Sequence, residues 1–226
     1  MNLEKLHENV YYYRNAIADP AALIELINST EGEEGISKVV PSWDHWEACS
    51  GECYIYGEKK NLNIENMLEI NNDESKEKAQ KIIDIIVNSM TDVCKDFAKD
   101  KGVTEKVNLS PYIDINKYKP GTFMGGHYDQ QEGDLRLKYS LVAYLNDDYE
   151  GGEISFTIKE GILGEEDRPR EDIDHEMNKE KVTFYLKPEA GSILIFPSSP
   201  PYNHTAHLVK SGYKYMVPGF WMNEEK

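Results

Sequence analysis

The chain has 226 residues, with 25 Lys and Arg against 41 Asp and Glu, for a formal net charge of −16 at pH 7. That length suits one large domain, or a domain with an extension, and is ample for a buried core. The charge repels polyanions and no Lys/Arg cluster offsets it locally, so nucleic acid is not an expected partner.

The cysteines, Cys49, Cys53 and Cys94, form an odd and sparse set that suits a reducing compartment better than a disulfide framework. Cys49 and Cys53 could bind a metal, but no second Cys or His pair accompanies them. Residues Met1 to Val10 lack the basic start and apolar run of a signal peptide. No stretch approaches the roughly 18 apolar residues of a membrane span. The expectation is a soluble, cytoplasmic chain with no membrane partner.

In chain order, Asn9 to Arg14 predicts an opening strand, and Asp19-Pro20 starts a helix, with Asp19 as cap and Pro20 at the first helical position. Leu23, Ile24, Leu26 and Ile27 give it an apolar face, and Gly32 lies beyond its end. From Ile36 to Asn72 the pattern is irregular, with a short strand at Cys53 to Tyr56. Trp43 and Trp46 either line a cleft or are simply buried. Asp73 or Asn72 then caps a long helix, with Ala79, Ile82, Ile83, Ile86, Val87, Met90, Val93, Cys94 and Phe97 at helical spacing and Gly102 as its stop.

After Gly102 the chain turns to β. Strands are predicted around Val107–Tyr118, Tyr139–Leu145, Gly152–Ile158, Val182–Leu186, Ser192–Phe196, His204–Lys210 and Tyr213–Met222. Many short strands broken by Gly and Pro indicate a mainly β fold with α, a double-sheet jelly roll (double-stranded β-helix) core buttressed by N-terminal helices. Between Lys159 and Lys181 runs a charged insert, too polar to pack as core, which is either a lid or a solvated loop. His175 inside it has no defined partner and is left out of the site. No repeat or linker divides the chain. The expectation is one domain, 1–226, with a helical or mixed buttress at 1–105 and the β-helix at 106–226, interrupted by the insert at 159–181.

Chemistry concentrates in Gly121 to Asp129. His127 and Asp129 are two apart where a strand is expected, so both face one side. Alone, the pair also fits an exposed strand. A third ligand comes from Tyr202 to Tyr215, read as strand, tight turn at Ser211-Gly212, strand. If Val209 pairs with Tyr213, His204 and Lys214 share a face and His207 points away. His204 is then the ligand, and His207 a core or supporting residue. Two histidines and a carboxylate on one face form the facial triad of non-haem Fe(II) oxygenases, with open positions remaining. Zinc could use the same ligands, but a hydrolytic zinc would not explain Lys214.

Here the sequence resembles the 2-oxoglutarate/Fe(II) dioxygenases, within them the prolyl 4-hydroxylase group, over roughly residues 107–222. The resemblance lies in Tyr118-Lys119-Pro120-Gly121 leading to His127-Tyr128-Asp129, in Tyr144-Leu145-Asn146 followed by Gly151-Gly152-Glu153, in Gly191 to Pro197, and in His204 followed by Gly212-Tyr213-Lys214. It implies Fe(II) held by His127, Asp129 and His204, with 2-oxoglutarate as cosubstrate and O2 as oxidant. Lys214 would pair with the distal carboxylate of 2-oxoglutarate, Tyr144 would share that carboxylate, and Tyr118 would line the site. A buried dianion needs such a charge-assisted partner. Ascorbate is a possible reductant on the same grounds.

Leu208-Val209 departs from the relatives, which often place Pro before the Val. Many carry Arg at Lys214, although lysine is typical of the prolyl 4-hydroxylases. The implied reaction hydroxylates a prolyl residue in a peptide or protein and releases succinate and CO2. The alternatives are a free amino acid or other small molecule with the same cofactors, and a non-catalytic jelly-roll binding module. Retained Lys214 and Tyr144 argue against the last. The sequence leaves the oligomeric state open.

Overall fold

The computed structural model describes residues 1–29, 44–46, 55–56, 59–63, 73–110, 114–130, 136–161, 163–173 and 175–223. Strands β1 (Asn2–His7) and β2 (Val10–Arg14) precede helix α1 (Pro20–Asn28), and β3 (Asp44–Trp46), β4 (Ile55–Tyr56) and β5 (Lys59–Asn63) precede α2 (Asp73–Lys101). Then follow β6 (Asp114–Tyr118), β7 (Phe123–His127), β8 (Leu137–Tyr144), β9 (Glu150–Gly151) and β10 (Ile154–Ile158). After the short helix α3 (His175–Asn178) come β11 (Phe184–Leu186), β12 (Ser192–Pro197), β13 (Tyr202–Ala206), β14 (Val209–Ser211) and β15 (Lys214–Met222).

Two antiparallel sheets make a jelly roll. The larger runs β1-β2-β12-β8-β15-β6-β5-β3, the smaller β11-β10-β13-β7-β4, and β14 pairs with β9 in a separate ribbon. Alternation along the strands sorts side chains between two cores. Tyr12, Val142, Tyr144, Leu194 and Phe196 from the larger sheet meet Ile154 and Phe156 from the smaller. Their neighbours Tyr11, Tyr13, Leu141, Ala143, Ile193 and Ile195 face the other way, into a second cluster with the helices. Strand β2 is therefore apolar on both faces, as expected of a strand covered on both sides.

Asp19 caps α1, its carboxylate accepting from the Ala22 backbone amide at 3.0 Å. In α2, Ala79, Ile82, Ile86, Met90, Val93, Cys94 and Phe97 form one fully buried stripe. At about 1.5–3 kcal/mol for each large side chain, that stripe anchors the helix far more strongly than propensity does. Gly219 on β15 lets α2 come close, since a Cβ there would stand 2.6 Å from the Met90 sulfur. Gly102 follows the helix with φ +67°.

Several expectations change. The N-terminal third joins the sheets directly: β1, β2, β3 and β5 extend the larger one and β4 the smaller. The strand expected over Val107–Tyr118 begins, among described residues, at Asp114, with an isolated bridge from Leu109 to Trp221. The hairpin expected between His204–Lys210 and Tyr213–Met222 does not form. Strand β13 lies in the smaller sheet and β15 in the larger, while β14 pairs with β9. Closing a two-sheet core makes the chain change sheets where a local turn signal suggests a simple reversal.

Described residues of the insert pack against the sheet. Leu163 and Asn178 are buried, and the Asn178 amide donates to the Arg170 carbonyl and accepts from the Arg170 backbone amide. The Lys181 carbonyl accepts from Thr157 Oγ1, and the Glu171 carbonyl from the Leu208 amide. Thr157 alternates with Phe156, which faces the inner core, so the insert is tied to the outer face of the smaller sheet. Among the described residues no helix is long and apolar enough to cross a membrane.

Candidate metal centre

Strands β7 and β13 are neighbours, and their register sets His204 directly opposite His127. Directly opposed residues share a face, so both imidazoles point between the sheets, their ring centroids 4.2 Å apart. Phe196 and Phe156 wall His204, at 4.7 and 5.8 Å between centroids. Asp129 lies just past the end of β7, in a bend rather than on the strand. It nevertheless closes the triangle. Its Oδ1 is 3.6 Å from His127 Nε2 and its Oδ2 is 3.5 Å from His204 Nε2. One ligand atom from each residue lies within 4.8 Å of the other two.

Backbone carbonyls fix the tautomers. His127 Nδ1 donates to the Gly125 carbonyl at 2.8 Å and His204 Nδ1 to the Tyr202 carbonyl at 3.3 Å. A carbonyl only accepts, so Nδ1 carries the proton and Nε2 presents its lone pair to the centre. Burial pushes the His204 pKa down to about 4, with the neighbouring His127 adding to the effect. Burial would raise Asp129, but the two histidines outweigh it and hold the carboxyl well below its usual range. At neutral pH the result is an anionic carboxylate beside a neutral His204, the protonation states a divalent cation requires. Two nitrogens and one oxygen converging on one point suit non-haem iron by donor type.

Lys214, at the start of β15, is 1 % exposed. Its Nζ donates to the Gly152 carbonyl at 2.7 Å and lies 5.2–5.8 Å from the ring centroids of Tyr144, Tyr118 and Tyr149. Strand pairing explains two of these: Lys214 opposes Tyr118 on β6, and Met216 opposes Tyr144 on β8. Burial pushes the lysine pKa down to about 7, Lys187 lowering it further and Glu153 opposing. No carboxylate pairs with Lys214 among the described residues. A buried ammonium in that condition is set up for an anion. Gly151 and Gly152 hold φ of +71° and +66°, and a Cβ on Gly152 would stand 2.7 Å from the Tyr149 ring.

His127, Asp129 and His204 thus come together, and Lys214, Tyr118 and Tyr144 gather beside one another between the same sheets. His204, not His207, groups with His127 and Asp129, and it does so through β13 pairing with β7 rather than through the expected hairpin. His207 is buried on the other face, its Nε2 2.8 Å from Ser155 Oγ. His175 packs on Tyr185, away from the triad, with ring centroids 4.0 Å apart. Trp43, Cys49 and Cys53 lie outside the described residues. Sequence reasoning missed Tyr149. The only signal for it was its place just before Gly151-Gly152.

Residues 113–222 match the model of the 2OG-Fe(II) oxygenase superfamily. No curated protein matches the sequence. Among solved structures, a prolyl-4-hydroxylase from Pseudomonas putida aligns with a TM-score of 0.55 at 13% identity, covering 96% of this chain and 94% of that one. A prolyl hydroxylase from Trichoplax adhaerens, in complex with a hypoxia inducible factor peptide fragment, gives 0.57 at 15% identity, over 96% and 84%. The carbocyclase SnoK from nogalamycin biosynthesis, a non-heme alpha ketoglutarate dependent enzyme, gives 0.60 at 12% identity, over 95% and 80%. At these identities the likeness is one of fold.

Proposed function

We infer the reaction from the family to which residues 113–222 belong, the 2OG-Fe(II) oxygenase superfamily, which implies Fe(II), 2-oxoglutarate and O2. The proposed activity is 2-oxoglutarate-dependent hydroxylation of a prolyl residue in a peptide or protein. His127, Asp129 and His204 would hold the iron. Bound there with its cosubstrate, iron would activate O2, the oxidant, whose two atoms would go one to succinate as 2-oxoglutarate loses CO2 and one to a substrate C–H bond.

The chain's own residues do the rest. The Gly125 and Tyr202 carbonyls aim the two Nε2 atoms. Lys214 would receive the distal carboxylate and Tyr144 would flank it, which fixes the keto acid end toward the triad. Tyr118 would line the cavity, and Phe156 and Phe196 exclude water beside His204. The observation that carries this reading is the pairing of the triad with one buried, anion-seeking lysine. The peptide-bound neighbour supports a peptide substrate, and SnoK keeps a small molecule in view as the second reading.

The test is incubation with Fe(II), 2-oxoglutarate, ascorbate and a panel of proline peptides, followed by mass spectrometry. Gain of one oxygen on proline, dependent on 2-oxoglutarate, is expected. Succinate formed with no peptide oxidised, but with a free amino acid or other small molecule oxidised, would favour the second reading.

A further inference from the structure

We propose that Tyr149 is a further cosubstrate-binding residue, its hydroxyl donating to the same distal carboxylate that Lys214 pairs with. This rests on the cosubstrate reading above and adds to it a residue that neither the motifs nor the strand pairing singled out.

Tyr149 sits in the turn between β8 and β10 and is 5 % exposed. Its hydroxyl is buried and has no hydrogen-bond partner among the described residues. Buried hydroxyls are rarely left so, because desolvation is then uncompensated. The ring is not idle filler. Lys187 Nζ stands 3.8 Å from its centroid on one side and donates to the Tyr149 and Gly151 carbonyls, holding the turn in place. Lys214 Nζ lies 5.8 Å from the same centroid.

The absence of a side chain at Gly152 lets the ring edge come this close to Lys214. A Cβ there would touch both, 2.7 Å from Tyr149 Cε2 and 3.3 Å from Lys214 Cδ. Tyr149 and Tyr118 also share a small cluster with Val209. The Tyr144 ring stands on the same ammonium, its centroid 5.2 Å from Lys214 Nζ. Among the described residues Lys214 has one acceptor, Gly152, and an ammonium carries three donors. Two ammonium hydrogens and an unpartnered hydroxyl, in a buried cage of three tyrosines, make a complementary set for one carboxylate.

The test is Tyr149→Phe, which keeps the ring and removes the hydroxyl. Binding is measured by calorimetry on the anaerobic Fe(II)-loaded protein, with 2-oxoglutarate and with 2-oxovalerate, which has the same chain but a methyl group in place of the distal carboxylate. Loss of one hydrogen bond to a charged group should weaken 2-oxoglutarate about ten-fold or more. Binding of 2-oxovalerate should not change, and the metal-free variant should melt no lower than wild type. Equal binding of 2-oxoglutarate by both proteins, or equal weakening of both ligands, would overturn the proposal. Wild type that binds no 2-oxoglutarate would instead overturn the reading on which it rests.

Discussion

A fully buried ammonium that, among the described residues, donates only to a carbonyl, as at Lys214, destabilises the folded chain until an anion joins it. Lys214→Met should therefore raise the melting temperature of the ligand-free protein while weakening 2-oxoglutarate by about 100-fold or more. The sign with pH follows from a folded pKa of about 7 against an ordinary value of 10.5. Below pH 7 both states hold the proton and the destabilisation is complete. Between pH 7 and 10.5 the unfolded chain binds more protons, so wild-type stability rises and the advantage of the methionine variant shrinks. Thermal melts of both proteins at pH 6 and pH 9 check this. By the same protonation, 2-oxoglutarate affinity should fall as pH rises above about 7, since binding must then take up a proton. His207→Ala should lower stability by about 1–3 kcal/mol, through the stranded Ser155 hydroxyl, with iron stoichiometry unchanged. Denaturant melts and metal analysis separate it from His204→Ala, which should lose the iron.

The elements place these residues by rules the sequence discloses unevenly. The α2 stripe was legible because helical spacing persists over the whole element, and the residues it marked are buried except Ile83 and Val87, which are partly so at the stripe's edge. Strand β2 was legible as a strand, but which face met which core depends on distant partners. The triad was legible in residue type and order. Its geometry was not, because the opposition of His204 to His127 arises from non-local pairing between β7 and β13. The turn signal at Ser211-Gly212 is real, with φ +76° at Gly212, yet the strands beside it part into different sheets. The charged insert reads as solvent-facing by composition, and only contacts such as Thr157 to Lys181 reveal what it covers. Glycines show the cost of altering these elements. Gly151 sits at φ +71° and a Cβ there would collide with the Leu208 carbonyl. Gly151→Ala should then lose about 2–4 kcal/mol and also weaken 2-oxoglutarate, because the turn carries Lys214's acceptor.

At the scale of the whole molecule, the helices back the outer face of the larger sheet and leave the space between the sheets to the chemistry. A net charge of −16 gives the chain a long-range field that attracts cations. If the substrate is a peptide, kcat/KM for proline peptides flanked by Lys or Arg should exceed that for acidic ones, and the gap should narrow as salt is raised from about 0.01 to 0.15 M. Initial rates across that range check it. The decisive observation is an anaerobic titration of the Fe(II)-loaded protein with 2-oxoglutarate, following the weak visible charge-transfer band of a chelated keto acid, with His204→Ala and Lys214→Ala alongside. The band should appear in wild type, vanish in His204→Ala, and need far more cosubstrate in Lys214→Ala. Its absence from the metal-loaded wild type would contradict the oxygenase assignment of this site.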